Sequence, residues 1–132
     1  MTTHANYSAG QFAQHFLLRY PDSMPVATAL KVEALSKDLG SQRRLAEALG
    51  VSPAQVTRWR QGQGIDPVNA SRLNVLELVM AELLQQYAPS TAGKWLYGVN
   101  PLLGGRPIDA IRAGRAEQLL AVLRQELAGS YA

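Results

Sequence analysis

Residues 41–62 have the sequence SQRRLAEALGVSPAQVTRWRQG, and their apolar residues are spaced as in two short helices joined by a turn. The first helix is predicted over about residues 42–49, and Gly50 is expected to end it because glycine readily adopts a positive φ. The second helix is predicted between Ser52 and Gly62. The side chains expected to pack between the two helices are Leu45, Ala46, Leu49, Val56 and Trp59. The pattern predicts a helix-turn-helix.

Helix-capping residues support the same boundaries. Ser41 is expected to cap the first helix and Ser52 the second. Pro53 follows Ser52 at the first position of the second helix, where proline is common. Gln55 completes a Ser-x-x-Gln pattern, which predicts a capping box with two reciprocal hydrogen bonds. Local and longer-range signals therefore agree on one bihelical unit.

The net charge of the chain is concentrated in this segment. Four arginines and one glutamate give residues 41–62 a net charge of +3, which equals the net charge of the whole 132-residue chain. A positive field confined to a bihelical unit predicts docking on the phosphate backbone of DNA. The alternative is a helix-turn-helix that serves packing only, with a solvated charged rim.

The outer face of the second helix carries side chains suited to base recognition. Arg58 and Gln61 have the chemistry to contact guanine and adenine edges, and Thr57 can meet a thymine methyl. Gln42 is expected to contact a phosphate from the start of the first helix. The predicted DNA-binding residues are Gln42, Arg43, Arg44, Ser52, Pro53, Ala54, Thr57, Arg58, Arg60 and Gln61.

The composition predicts a soluble, cytoplasmic, all-α protein. Helix-forming residues dominate the second half, and no apolar run has transmembrane length. The chain has no cysteine and no signal-peptide pattern. His4 and His15 have no acidic residue beside them, so we expect no metal site and no cofactor. Without a nucleophile and base in reach, or a P-loop, we expect no enzyme.

The chain divides into four predicted segments. They are an N-terminal arm at residues 1–24, a helix-turn-helix domain at 25–65, a long connecting helix at 66–88 and a C-terminal module at 89–132. Pro21 and Pro25 are expected to break the chain. A scaffold helix then follows from Val26 to Leu39, with Leu30, Val32 and Leu35 facing inward.

The long helix is predicted from Pro67 to about Tyr87, after an Asp66 cap. Its apolar face is broader than one surface helix normally buries. We expect it to be shared in a homodimer, because paired recognition helices suit paired half-sites. The alternative is a central core helix in a monomer. The apolar residues concerned are Leu73, Val75, Leu76, Leu78, Val79, Met80, Leu83, Leu84 and Tyr87.

The C-terminal third contains a specific series of short motifs. Trp95-Leu96 is followed by Asn100-Pro101, by LGGRPID at residues 103–109 and by Gly114-Arg115. From the residues alone this is a compact helical module, with helix starts at Ser90 and Pro107 and special backbone angles at Gly104 and Gly105. A last helix is predicted over residues 115–127. Arg106, Asp109 and Arg112 are interpreted as a surface salt-bridge set rather than an anion site.

This series resembles the toxin-binding domain of the Xre/MbcA/ParS antitoxin family, and with the helix-turn-helix the resemblance covers about residues 26–132. The resemblance implies an antitoxin paired with a NAD⁺-consuming toxin of the RES-domain type. It implies that the C-terminal module covers the toxin and that residues 129–132 reach toward the toxin's active site. The implied toxin-binding residues are Trp95, Asn100, Leu103, Gly104, Gly105, Arg106, Pro107, Asp109, Arg112, Arg115, Gly129, Ser130, Tyr131 and Ala132.

Two functions remain open at this point. In the first, the protein neutralises its toxin and represses its own operon through the helix-turn-helix, in complexes with operator DNA and toxin. In the second, it is a stand-alone transcriptional or partition regulator whose C-terminal module dimerises or binds another protein. Deleting residues 129–132 is expected to release toxin activity only in the first case.

Overall fold

The computed structural model describes the backbone of residues 24–129 and the side chains of residues 28–129. This part of the chain is all-helical, with seven α-helices and no strand. The helices are α1 (Met24–Leu39), α2 (Gln42–Leu49), α3 (Pro53–Arg60), α4 (Pro67–Leu84), α5 (Pro89–Tyr97), α6 (Pro107–Arg112) and α7 (Ala116–Gly129). The predicted all-α class is confirmed. The N-terminal arm and both histidines lie outside the described residues, apart from Met24.

The first helix, α1, buries one face against the rest of the chain. Thr28, Val32, Leu35 and Leu39 are buried, and their spacing follows a single helical face. The expectation that Leu30 faces inward is wrong, because its side chain is 64% exposed. Leu30 lies two residues from Val32, about 200° around the helix, and so points to the opposite side.

The start of α1 differs from the sequence-based expectation in a second respect. Pro25 was expected to break the chain, but α1 begins at Met24 and includes Pro25 in its first turn. A proline is tolerated there because the first backbone N–H groups of a helix have no partner within the helix.

The boundaries of α2 and α3 follow their caps. The Ser41 side chain accepts a hydrogen bond from the Arg44 N–H, and the Ser52 side chain accepts one from the Gln55 N–H. Gly50 has a φ of 72°, the left-handed conformation expected of it. Only half of the capping box forms, because the Gln55 side-chain oxygen accepts a hydrogen bond from Arg58 instead.

The helix α4 lies at the centre of the fold. It has 18 residues, begins after the Asp66 cap as predicted, and ends at Leu84 rather than near Tyr87. It packs against α1, α2, α5, α6 and α7 within the same chain. Intrachain packing therefore explains its broad apolar face, and the homodimer stays a prediction. The residues it buries fully are Leu73, Leu76, Val79, Met80 and Leu83.

The C-terminal helices α5, α6 and α7 follow the glycine and proline signals, with three corrections. The N-cap of α5 is Ala88 and not Ser90, which lies inside the helix. Of Gly104 and Gly105, both expected to have special backbone angles, only Gly104 has a positive φ. The last helix was predicted to end at residue 127, but α7 continues to Gly129.

One hydrophobic core joins the segments that were predicted as separate domains. Leu45 and Trp59 from the bihelical unit, Leu76 from α4, and Ile108 and Leu123 from the C-terminal helices belong to the same buried cluster. The predicted divisions at residues 65 and 88 therefore fall in loops between helices of one packed body, over the described part of the chain.

Candidate nucleic-acid interface and partner surface

The bihelical unit, residues 41–62, has a buried inner face and an exposed outer face. Val56 and Trp59 are almost completely buried against the core. Trp59 anchors α3 from inside, so the opposite side of this short helix is presented to solvent. The residues exposed there are Ser52, Pro53, Ala54, Thr57, Arg58, Arg60 and Gln61. All seven predicted DNA contacts of this region are thus accessible.

Gln42 links the start of α2 to α3. Its side-chain Nε2 donates to Thr57 Oγ1 and to the Pro53 carbonyl, the latter at 3.4 Å. Its Oε1 accepts from Arg60 Nη1 at 2.7 Å. Sequence reasoning expected the Gln42 amide to meet a phosphate directly. In the structure both ends of that amide are already engaged with α3, so the residue organises its neighbours.

The arginines of the unit have different surroundings. Arg58 Nη2 donates to Gln55 Oε1 at 3.1 Å within the same exposed face. Arg43 is exposed, and among the described residues it forms no ion pair or side-chain hydrogen bond. Arg43 and Arg58 therefore keep most of their donors available for an external anion or base edge.

Arg44 faces away from α3 and toward α5. Its guanidinium lies 5.1 Å from the centre of the Tyr97 ring, a cation–π contact. The Tyr97 hydroxyl donates to the Arg44 carbonyl at 3.3 Å. Burial and the nearby Glu47 carboxylate raise the pKa of Tyr97, so its hydroxyl stays protonated as a donor. The exposed Arg44 thus joins the bihelical unit to α5, and its predicted DNA contact stays a prediction.

A second contact joins the bihelical unit to α6. Arg112 Nη1 donates to the Glu47 carbonyl at 3.3 Å, at the C-terminal end of α2. The Arg112 side chain also covers Gly50, where a Cβ atom would come within 3.3 Å of Arg112 Cδ. Arg72 of α4 donates to the Leu49 carbonyl at 3.3 Å. Arg72 thus satisfies the Leu49 carbonyl, which the end of α2 leaves without a helical partner, and Arg112 adds a second donor to the Glu47 carbonyl, which also accepts from the Gly50 N–H.

The predicted salt-bridge set of α6 is present. Arg106 makes a bidentate pair with Asp109, at 3.0 and 3.1 Å, and Arg112 contacts the same carboxylate. Hydrogen bonds from Arg106, and then from Arg112, hold the pKa of Asp109 below its ordinary value. The single Asp109 carboxylate thus holds both arginines in an internal ion-pair set, as predicted from the sequence.

Glu126 is the functional-site candidate that sequence reasoning missed. Its carboxylate accepts from Trp95 Nε1 and from Asn100 Nδ2, both at 2.7 Å. These bonds tie α5 and the loop at residues 98–106 to the last helix. Asn100 also closes that loop, since its Oδ1 accepts from the Leu102 N–H at 3.0 Å. The only sequence signal was a lone acidic residue between Leu123 and Leu127 on the inner side of α7.

The residues implied by the family resemblance fall into three groups. Asn100, Leu103 and Pro107 are buried and build the module from within. The accessible or partly accessible ones are Trp95, Gly104, Gly105, Arg106, Asp109, Arg112, Arg115 and Gly129. Ser130, Tyr131 and Ala132 lie outside the described residues. A partner would therefore meet the second group directly and the first only indirectly.

Two apolar side chains stand out on the loop at residues 98–106. Val99 is 76% exposed and Leu102 is 56% exposed. Beside them, Trp95, Pro101 and Glu126 line a shallow depression of about 230 Å³. Sequence reasoning did not select Val99 or Leu102, because single apolar residues in a loop carry no periodic signal.

No group of three or more histidine, cysteine or acidic side chains in residues 28–129 is arranged to hold a metal ion. Within the same range, no helix has the length and apolar character needed to cross a membrane.

No family model, no curated protein and no solved structure matches the chain. The family resemblance accordingly rests on the motif residues themselves.

Proposed function

We propose that the protein binds DNA through the bihelical unit, as a cytoplasmic transcriptional repressor. The observation that carries this proposal is the outer face of α3, which exposes Arg58 and Thr57 while Trp59 fixes the helix from the other side. Arg43 and Arg60 flank this face with positive charge. Base-directed and phosphate-directed side chains on one rigid unit are the requirement for sequence-specific binding.

Two arginine variants test the proposal. Arg58→Ala is expected to lose about 1–3 kcal/mol on a selected site and less on random DNA, because it removes a base contact. Arg43→Ala is expected to weaken both DNAs alike and to reduce the dependence of affinity on salt. The matched control is Arg124→Ala, an exposed arginine on α7. Wild-type protein that binds no DNA at low salt would contradict the proposal.

We further propose that the C-terminal module neutralises a NAD⁺-consuming toxin of the RES-domain type. The support is the resemblance carried by Trp95, Asn100 and residues 103–109, together with the accessible rim formed by Val99 and Leu102. In this role the protein acts as a type II antitoxin. It binds both operator DNA and the toxin, and it represses its own operon. As a homodimer it would place two copies of α3 on paired half-sites.

Coexpression with the neighbouring gene tests the antitoxin role. The neighbour alone is expected to deplete cellular NAD⁺ and stop growth, and this chain is expected to restore both. Deletion of residues 129–132 is then expected to release the toxin while DNA affinity stays unchanged. A harmless neighbour, or toxicity that this chain leaves untouched, would contradict the role.

The second candidate is a stand-alone regulator, and a specific observation favours it. Several of the implied toxin-binding residues make contacts inside the chain: Arg112 contacts the end of α2, Asn100 closes a loop, and Pro107 is buried. These contacts account for the motif without a toxin. In that case the deletion of residues 129–132 changes neither growth nor NAD⁺.

A further inference from the structure

The proposed DNA-binding function leaves open which group on α3 recognises which base, and Thr57 offers a specific answer. Its hydroxyl donates to the Pro53 carbonyl at 3.2 Å, one turn back along α3. The same oxygen accepts from Gln42 Nε2. A hydroxyl has one proton to donate, and here that proton is used within the helix.

The hydrogen bonds also fix the orientation of the side chain. The hydrogen bond from the Thr57 hydroxyl to the carbonyl four residues earlier restricts the rotation of its side chain. Gln42 adds a second restraint from the neighbouring helix, and Gln42 is itself restrained by Arg60 Nη1 at 2.7 Å. The exposed Thr57 therefore brings a methyl group in a fixed position to the outer face, with one free lone pair on its oxygen.

We propose that Thr57 recognises the 5-methyl group of a thymine through its own methyl, and that Gln42 is the positioning residue that fixes this contact. The inference rests on the proposed DNA binding. A thymine methyl is the apolar feature of the major groove, and an apolar side-chain group is its matching partner. Gln42 acts through Thr57 and Arg60 and makes no base contact of its own.

The experiment uses the full chain and a duplex selected by it from a library with a randomised centre. Each thymine of the selected duplex is replaced in turn by deoxyuridine, which removes the methyl and nothing else. For the wild-type protein one position in each half-site is expected to weaken binding about fourfold, the equivalent of one buried methyl group. The remaining replacements are expected to leave the affinity unchanged.

Two substitutions at Thr57 separate its methyl from its hydroxyl. Thr57→Ser keeps the hydroxyl and is expected to abolish the discrimination between thymine and deoxyuridine at that position. Thr57→Val keeps a methyl and is expected to retain the discrimination, because valine strongly prefers one rotamer in a helix. The reverse result, discrimination kept by serine and lost by valine, would show recognition through the hydroxyl and overturn the proposal.

Gln42→Ala tests the positioning role. It is expected to reduce the fourfold discrimination while the helical circular-dichroism signal stays unchanged, because Gln42 lies at the edge of the fold. Gln125→Ala, at an exposed position of α7, is the matched control and is expected to keep full discrimination. Full discrimination in Gln42→Ala would refute the positioning role.

The failures of the two proposals are distinguishable. A library that yields no preferred sequence overturns specific DNA binding and this inference with it. A preferred sequence that tolerates deoxyuridine at every position leaves DNA binding in place and overturns the inference alone.

Discussion

The substitution Glu126→Gln tests how the loop at residues 98–106 is held. The Glu126 carboxylate accepts two hydrogen bonds of 2.7 Å, from Trp95 and from Asn100. A glutamine has one carbonyl oxygen to offer and presents an N–H₂ group where the second acceptor was. One donor then faces another donor, and the remaining hydrogen bond no longer involves a charged acceptor.

The magnitude follows from these two bonds. Losing a hydrogen bond to a charged group costs about 1.5–3 kcal/mol, and part of this is recovered by water because Glu126 is only half-buried. We expect the free energy of unfolding to fall by about 1–2 kcal/mol, and Tm by about 4–10 °C. Urea denaturation followed by far-ultraviolet circular dichroism measures the change.

Two variants serve as controls for this prediction. Glu33→Gln makes the same chemical change at an exposed side chain of α1 that forms no ion pair or hydrogen bond with the described residues, and it is expected to be neutral. Trp95→Phe removes one of the two donors, so the double variant with Glu126→Gln should lose less than the sum of the single losses. Additive losses, or a Glu126→Gln variant as stable as wild type, would refute this account of the loop.

Three further outcomes are expected. Gly50→Ala should destabilise the protein by about 1–2 kcal/mol because residue 50 has a left-handed backbone, and crowding against Arg112 should add to this loss. Gly114→Ala is the control, because Gly114 also has a positive φ but has free space around it. Equal urea midpoints for the two variants would contradict the crowding. Arg106 and Arg112 lower the pKa of Asp109, so the stability that this carboxylate contributes is present above pH 3.8 and is lost as the pH falls below that value. Asp109→Asn should therefore reduce the dependence of stability on pH below about 3.8. Tyr97→Phe should lower stability only slightly, by about 0.5–1.5 kcal/mol for one hydrogen bond, and its unfolding midpoint should match that of the wild type if the bond to Arg44 is not formed in solution.

Much of the fold was predictable because its signals are local. The bounds of α2, the positive φ of Gly50 and the caps at Ser41, Ser52 and Asp66 depend on residues within a few positions of one another. Helix class and inner faces follow from periodicity in the same way. Leu30 was predicted to be buried because it is hydrophobic, but its position two residues before Val32 places it on the opposite side of α1.

The long-range contacts of the site were not predictable from the pattern. Arg44 has the same sequence signal as Arg43, yet its side chain turns to Tyr97, 53 residues later in the chain. The Gln42 amide was expected to contact a phosphate, and its contacts with Thr57 and Arg60 could not be foreseen because they form only when α3 folds back on α2. Glu126 joins Trp95 and Asn100 from 31 and 26 residues away. Local pattern cannot specify such pairings.

The contact between α2 and α6 affects how this protein can be recombined with others. Arg112 covers Gly50 and donates to the Glu47 carbonyl, and Tyr97 donates to the Arg44 carbonyl, so the C-terminal helices support α2 and the turn within the bihelical unit. A chimera that exchanges residues 41–62 for another such unit must therefore supply a small residue at position 50 and a surface that accepts Arg112. Inheritance of the two parts together, rather than by free shuffling, is the expected evolutionary history of such a chain.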